Sequence, residues 1–171
     1  MSASNAKNPS LRPAKSNAIQ KPLDQLDRQI LSELARDGRL ANNVLAERLG
    51  IAASTALMRT QSLLRRGIIR GFRADIDHSR IGADVQALVS VRVRANARAS
   101  LNEFGQLLSR EPGVLNVFFI AGAFDFLVHI ASPDTEGLRT FVSETLSMRP
   151  EVESTQTSLV FEHIPGSNPS L

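Results

Sequence analysis

Three glycines constrain this chain more than any other feature. Gly38, Gly50 and Gly67 cut residues 23–67 into three short segments, each with its own apolar stripe. In the first, Leu23, Leu26, Ile30, Leu31 and Leu34 recur at helical spacing. Asp24 is placed to cap that helix, with Asp27 three residues on as a capping-box variant. Asp37-Gly38 stops it. A second helix takes Val44, Leu45 and Leu49 as its apolar face, starts near Asn42 or Asn43 and ends at Gly50. A third runs from about Ala53 to Arg66, on the side shared by Ala56, Thr60, Leu63 and Leu64, and Gly67 stops it. Leu49-Gly50-Ile51 is then the tight turn of a helix-turn-helix. Residues 68–76 are β-prone and basic, so the segment reads as the wing of a winged helix-turn-helix.

The second half carries a different period. Along residues 85–93 the odd positions are apolar, which predicts a strand with one buried face. Leu101, Phe104, Leu107 and Leu108 form a helical stripe, broken at Glu111-Pro112-Gly113. A second strand is expected from Val114 to Ala121, and Phe126, Val128 and Ile130 alternate along a third. Ser132-Pro133-Asp134 opens a helix with Leu138, Phe141, Val142 and Leu146 inward, and residues 152–163 make the last strand. The order β-α-β-β-α-β is the ferredoxin-like split unit, so the fold class is α+β. Helices cover one face of its sheet, and a second copy of the chain is the natural cover for the other.

Charge divides at the same place. Residues 1–80 carry 14 Lys/Arg against 7 Asp/Glu, whereas residues 81–171 carry 6 against 10, although the net charge of the chain is only +3. A basic half suits a polyanion. Five arginines and no acid fall between Ser54 and Ala74. With no cysteine, a disulfide framework, a zinc-thiolate site and a cysteine nucleophile are all excluded. His78, His129 and His163 are far apart, so no metal site is expected. No phosphate loop and no dinucleotide fingerprint occurs, and no cofactor is expected. No apolar run reaches the roughly 20 residues of a membrane helix, so a cytoplasmic protein is expected. The expected division is a disordered basic arm (1–22), a winged helix-turn-helix (23–76), a linker (77–84), a ferredoxin-like domain (85–164) and a tail (165–171).

Several of these residues form a recognisable pattern. Leu23-Asp24-x-x-Asp27-x-x-Ile30-Leu31, Asp37-Gly38-Arg39, Leu45-Ala46-x-x-Leu49-Gly50, Arg59 and Gly67-Ile68-Ile69 resemble the start of the Lrp/AsnC family of bacterial regulators. Pro112-Gly113-Val114, the Gly122-Ala123-Phe124-Asp125 turn and a last strand with Thr155 and Thr157 resemble that family's ligand-sensing domain. The resemblance implies a transcription regulator that binds double-stranded DNA and an amino acid or similar small effector. It also implies self-assembly into homodimers and on to tetramers or octamers. Ala41 and Ala52 stand where the family often has a hydroxyl cap, and Asn42 and Ser54 are the expected substitutes. Leu64 stands where an acid is common.

A recognition helix needs small polar residues at its start and cations further along. Ser54 and Thr55 stand at that start and can donate to phosphate or touch bases, Arg59 can reach a phosphate or a guanine edge, Met58 and Gln61 are the further outward candidates, and Arg65, Arg66, Arg70 and Arg73 are the candidate phosphate contacts. Arg59 has a competing reading, an ion pair with an acid of the first or second helix. Arg39 reads as a structural partner, with Asp27 the obvious acid. In the second half, Gly122 permits positive φ and exposes amide donors for a carboxylate, and Asp125 offers an acceptor for an ammonium group. Phe124, Thr155, Thr157 and Ser158 complete the candidate effector site. The competing reading makes Gly122 a plain hairpin turn that Asp125 stabilises. Two alternative functions share the fold: a sirohaem-decarboxylase-like enzyme, and an architectural DNA-binding protein without an effector.

Overall fold

A computed structural model describes residues 22–164 and 166; the arm assigned to residues 1–22 and the tail assigned to 165–171 lie almost wholly outside them. The chain divides into two compact units between residues 75 and 76.

The first unit holds three helices, α1 (Gln25–Arg36), α2 (Asn42–Leu49) and α3 (Ala53–Arg65). Asp24 caps α1, its carboxylate accepting from the Asp27 amide at 2.8 Å. Gly50 ends α2 at φ 64°, a left-handed conformation that costs an ordinary side chain about 1 kcal/mol or more. That turn lets the Ile51 amide reach back to the Ala46 carbonyl at 3.0 Å. Ile30, Leu45, Ala46, Ala56 and Leu63 form the buried centre.

Three expectations for this unit need correction. Neither Ala41 nor Ala52 has a side-chain substitute capping its helix. Asn42 instead donates to the Ala53 carbonyl at 2.8 Å, tying the start of α2 to the start of α3. Leu64, expected inward, is 38% exposed. Residues 68–76 form no strand among the described residues. The Ile68 and Ile69 amides both turn back to the Leu63 carbonyl, at 3.0 and 3.2 Å, and their side chains pack on the helical core. Beyond them the segment is exposed, and β propensity without a partner strand yields no ladder.

The second unit is a four-stranded antiparallel sheet in the order β2-β3-β1-β4, from β1 (Val85–Val93), β2 (Val114–Phe119), β3 (Phe126–Ser132) and β4 (Val152–Val160). A 3₁₀ turn (Ser79–Ile81) precedes it within the expected linker, and a second (Ala95–Ser100) leads into α4 (Leu101–Leu108). The helix α5 (Thr135–Thr140) is capped by the Asp134 carboxylate and continues as a π-helical stretch (Phe141–Ser147). The wider repeat of a π turn brings Phe141 and Leu146 to the same side, and both are buried.

Ala87, Val89, Val91 and Val93 alternate inward along β1, as the sequence pattern requires. They meet Phe104 and Leu108 of α4 and Leu138 in a core of fourteen buried residues. Leu107, expected in that stripe, is 44% exposed. Gly105 is buried in its place, because Phe126 lies where a Cβ would sit. The opposite face of the sheet carries Leu88, Ser90, Phe118, Leu127 and His129, none of them fully buried.

Candidate nucleic-acid interface and effector turn

The 3.6-residue repeat divides α3 into two faces. Ala56 and Leu63 point into the core, and the Thr60 hydroxyl is buried on the same side with no hydrogen-bond partner among the described residues. Ser54, Met58, Gln61 and Arg65 are exposed on the other face. Thr55 is half-buried at its edge. Arg70 and Arg73 are exposed on the segment that follows. Most of the candidate DNA contacts therefore share the solvent side of this unit.

Two arginines do not. Arg59 Nη1 sits 2.5 Å from Asp24 Oδ2 and 3.1 Å from Asp27 Oδ1. Its guanidinium is thus turned toward the start of α1. The Asp24 hydrogen bond, and then that of Asp27, pushes its pKa still higher, so it is cationic at every relevant pH. Arg66 Nη1 lies 3.6 Å from Asp27 Oδ2. The cause is Asp27 itself, which is only 2% exposed. A carboxylate at that depth requires compensating charge, and these two guanidiniums supply it. Arg59 thus follows its competing reading, an ion pair with the acids at the start of α1, and Arg66, expected on phosphate, lies beside the same buried acid. Arg39, expected to pair with Asp27, is exposed and makes no side-chain ion pair among the described residues.

Leu57 was left unplaced by the sequence reading and borders a cleft with Leu34, Leu40, Leu45 and Phe72. It is 48% exposed beside Met58 at 58%. Its spacing from Ser54 and Gln61 was the available signal, but its apolar character argued for the core.

In the second unit the chain between β2 and β3 is pinned at both ends. The Asp125 amide donates to the Val91 carbonyl at 2.9 Å, and the Ile120 amide to the Asp125 carbonyl at 2.9 Å. Gly122 is exposed at φ 141°. Asp125 Oδ2 accepts from the Val93 amide at 2.8 Å, and Arg92 Nε donates to the Ala123 carbonyl at 2.7 Å. Asp125 therefore anchors its own turn to the end of β1, as the competing reading required, whatever else it binds. Phe124 is half-buried beside it.

The three candidate hydroxyls of β4, Thr155, Thr157 and Ser158, do not share one face. Thr155 and Thr157 pair with Val91 and Val89 and share the helix side of the sheet, whereas Ser158 pairs with Leu88 on the opposite face. Ser158 is thereby separated from the other two. On that open face His129 Nε2 lies 3.0 Å from Gln86 Oε1, and Asn116 Nδ2 lies 3.4 Å from His129 Nδ1. Burial pushes the His129 pKa below its ordinary value, with His163 and His78 adding to the effect.

A helix-turn-helix with a solvent-facing cationic side, joined in sequence to a ferredoxin-like sheet unit, defines the class of two-part transcriptional regulators. Residues 23–70 match the winged helix-turn-helix DNA-binding family, and residues 86–169 match the Lrp/AsnC ligand binding domain. The HTH-type transcriptional regulator AldR of Mycobacterium tuberculosis is 47% identical over 147 residues, covering 86% of this chain and 82% of its own length. The leucine-responsive regulatory protein of Escherichia coli K12 is 31% identical, covering 86% of this chain and 90% of its own length. A transcriptional regulator from Neisseria meningitidis, solved in complex with L-Met, superposes with a TM-score of 0.78 at 31% identity, covering 88% of this chain and 96% of that one. The chain belongs to the Lrp/AsnC family of DNA-binding transcriptional regulators with a ligand-binding domain.

Proposed function

We propose that residues 23–76 hold duplex DNA with α3 in the major groove, and that residues 85–164 bind an amino acid and join copies of the chain. The observation that carries the DNA reading is the exposed, acid-free surface running from Ser54 through Arg65 to Arg70 and Arg73. Arg65, Arg70 and Arg73 contact phosphate and set register, which holds the helix in place without selecting sequence. A homodimer presents two such helices to half-sites about one turn of DNA apart. The half-apolar open sheet face, with Leu88, Leu127 and Phe118, favours a second copy as its cover, and further assembly into tetramers or octamers follows the family's habit. The protein acts in the cytoplasm, where its DNA is, by binding rather than by catalysis. Its relatives are named as regulators, which favours this over a sirohaem-dependent reaction.

The decisive experiment is a salt titration of DNA binding by the full chain and by the Arg65→Ala/Arg70→Ala/Arg73→Ala variant. Each lost phosphate contact lowers the log–log salt slope by about 0.9. An unchanged slope would remove this face from the interface.

The effector reading rests on the exposed Gly122 turn and on the L-Met complex of the Neisseria meningitidis relative. Effector binding shifts the balance between assembly or DNA-binding states rather than driving a reaction. An amino acid that binds the folded state raises its melting temperature by mass action, by about 2.7 kcal/mol of stability at a hundredfold excess over Kd. A thermal-shift screen of the twenty amino acids, with no responder, would leave the effector-free architectural reading in its place.

A further inference from the structure

The open face of the sheet carries one titratable ring among neutral neighbours. Strand side chains alternate between faces, and the register puts His129, Leu88 and Ser158 in one row across this one. His129 is half-buried there. Its Nε2 donates to Gln86 Oε1 at 3.0 Å, and its Nδ1 accepts from Asn116 Nδ2 at 3.4 Å. A ring with one nitrogen donating and the other accepting is the neutral imidazole. A second proton, on Nδ1, sets one N–H against another and adds a charge where burial already disfavours it.

Charge is scarce around this ring. Besides His129, the four strands hold two ionisable side chains, Arg92 and Glu153, and both lie at the far end of the sheet beside the bulge at Arg92/Val93. Arg92 Nε is engaged by the Ala123 carbonyl. The side chains next to the ring are neutral: Gln86 and Leu88 from β1, Asn116 from β2 and Ser158 from β4. The helices α4 and α5 pack on the other face, against Ala87 and Val89. His78 and His163, outside the strands, are the titratable groups that act on His129, and both lower its affinity for a proton. No carboxylate stands beside the ring to hold an imidazolium. A face so poor in charge attracts neither a polyanion nor an acidic partner, and Leu88, Leu127 and Phe118 give it apolar surface, so a second copy of the chain is the cover that fits.

We propose that His129 is a proton-operated lock on self-assembly: two chains pair through the open sheet face while the ring is neutral and part when it takes up a proton. The proposal rests on the reading of this face as the interface between copies and adds its regulation. Two-fold pairing brings the same patch of both copies together, so each interface covers two His129 rings. A charge covered without a partner is costly, and the protonated ring recovers that cost only by returning to water.

The test is sedimentation velocity of the full chain at pH 7.5 and pH 5.5, at one ionic strength, with circular dichroism on the same samples. The neutral fraction of an ordinary histidine falls about tenfold between these values. With two rings per interface, the dissociation constant should rise by up to about a hundredfold, while the spectrum stays that of the folded chain. His129→Gln keeps an amide for hydrogen bonding and loses the titration, so it should pair equally at both pH values. A parent with the same constant at both would overturn the proposal. So would a His129→Gln variant with the parent's acid response, or dissociation that comes only with loss of the folded spectrum. Phe118→Asp, at a side chain 49% exposed, puts a charge into the face without opening the core and should weaken pairing at pH 7.5. If it pairs as the parent does, or if the parent is a monomer at pH 7.5, the reading of the face as a self-interface has failed and the lock falls with it.

Discussion

The helical unit and the sheet unit are held together by different means. The sheet unit buries fourteen apolar residues between one sheet face and its helices, and its hydrogen bonds are mainly ladder bonds. The helical unit buries five and adds a charged centre, Asp27, clasped by Arg59 and Arg66. A small unit with little apolar surface to bury leans on such a centre, and breaking one side of it leaves the other side uncompensated. The comparison teaches that arginines in a basic domain divide into two populations. Some define the unit and some face its partner, and burial of the acid they meet tells them apart.

The largest effect that would separate the units is in the sheet. Gly113 adopts φ 81°, and a Cβ there would lie 2.6 Å from the Ala131 carbonyl oxygen. Neither the left-handed backbone nor the clash with main chain can relax cheaply. Gly113→Ala should cost on the order of 3 kcal/mol, seen as loss of hydrogen-exchange protection across β2 and β3 with the helical unit still protected.

Asp27→Ala should do the reverse. Its partners are about a quarter exposed, so the cost falls below the 3–5 kcal/mol of a fully buried pair, to about 2 kcal/mol. For a unit of this size that is roughly a 10 °C fall in melting temperature. If protection is lost in the sheet unit instead, or nowhere, the contrast drawn between the two units is wrong.

The smallest effect concerns His129. Its folded-state pKa is lowered by burial below the ordinary 6.5. As pH falls through that range, the unfolded chain takes up the proton more readily than the folded one, so the sheet unit loses stability toward acid. The melting temperature should therefore fall between pH 8 and pH 5.5. His129→Gln should flatten it, and an equal slope in the variant would remove His129 as its source.

How far the site was legible can be traced residue by residue. Asp24 as a cap and Gly50 as a stop are local signals, readable because the bonds they make span three to five residues. The alternation of β1 was readable because a half-buried strand repeats every two residues. The same rule separates Thr157 from Ser158, so that error lay within reach of the sequence. The missing strand in residues 68–76 was not, since it turned on the Leu63 carbonyl capturing two amides. Leu107 lost its place in the core to Gly105 because the ring of Phe126 arrives from another element.

The amino-acid order by itself located the three helices of the first unit, the four strands of the sheet and the inward face of β1, and showed that a cationic part precedes an acidic one. These follow from short-range periodicity and from the chemistry of caps and turns. Only tertiary structure decided where the charges end. Arg59 meets an acid 35 residues earlier, and Asp125 meets an amide 32 residues away. No local pattern encodes such pairings, because they depend on which buried group, once the elements have packed, is left in need of a partner.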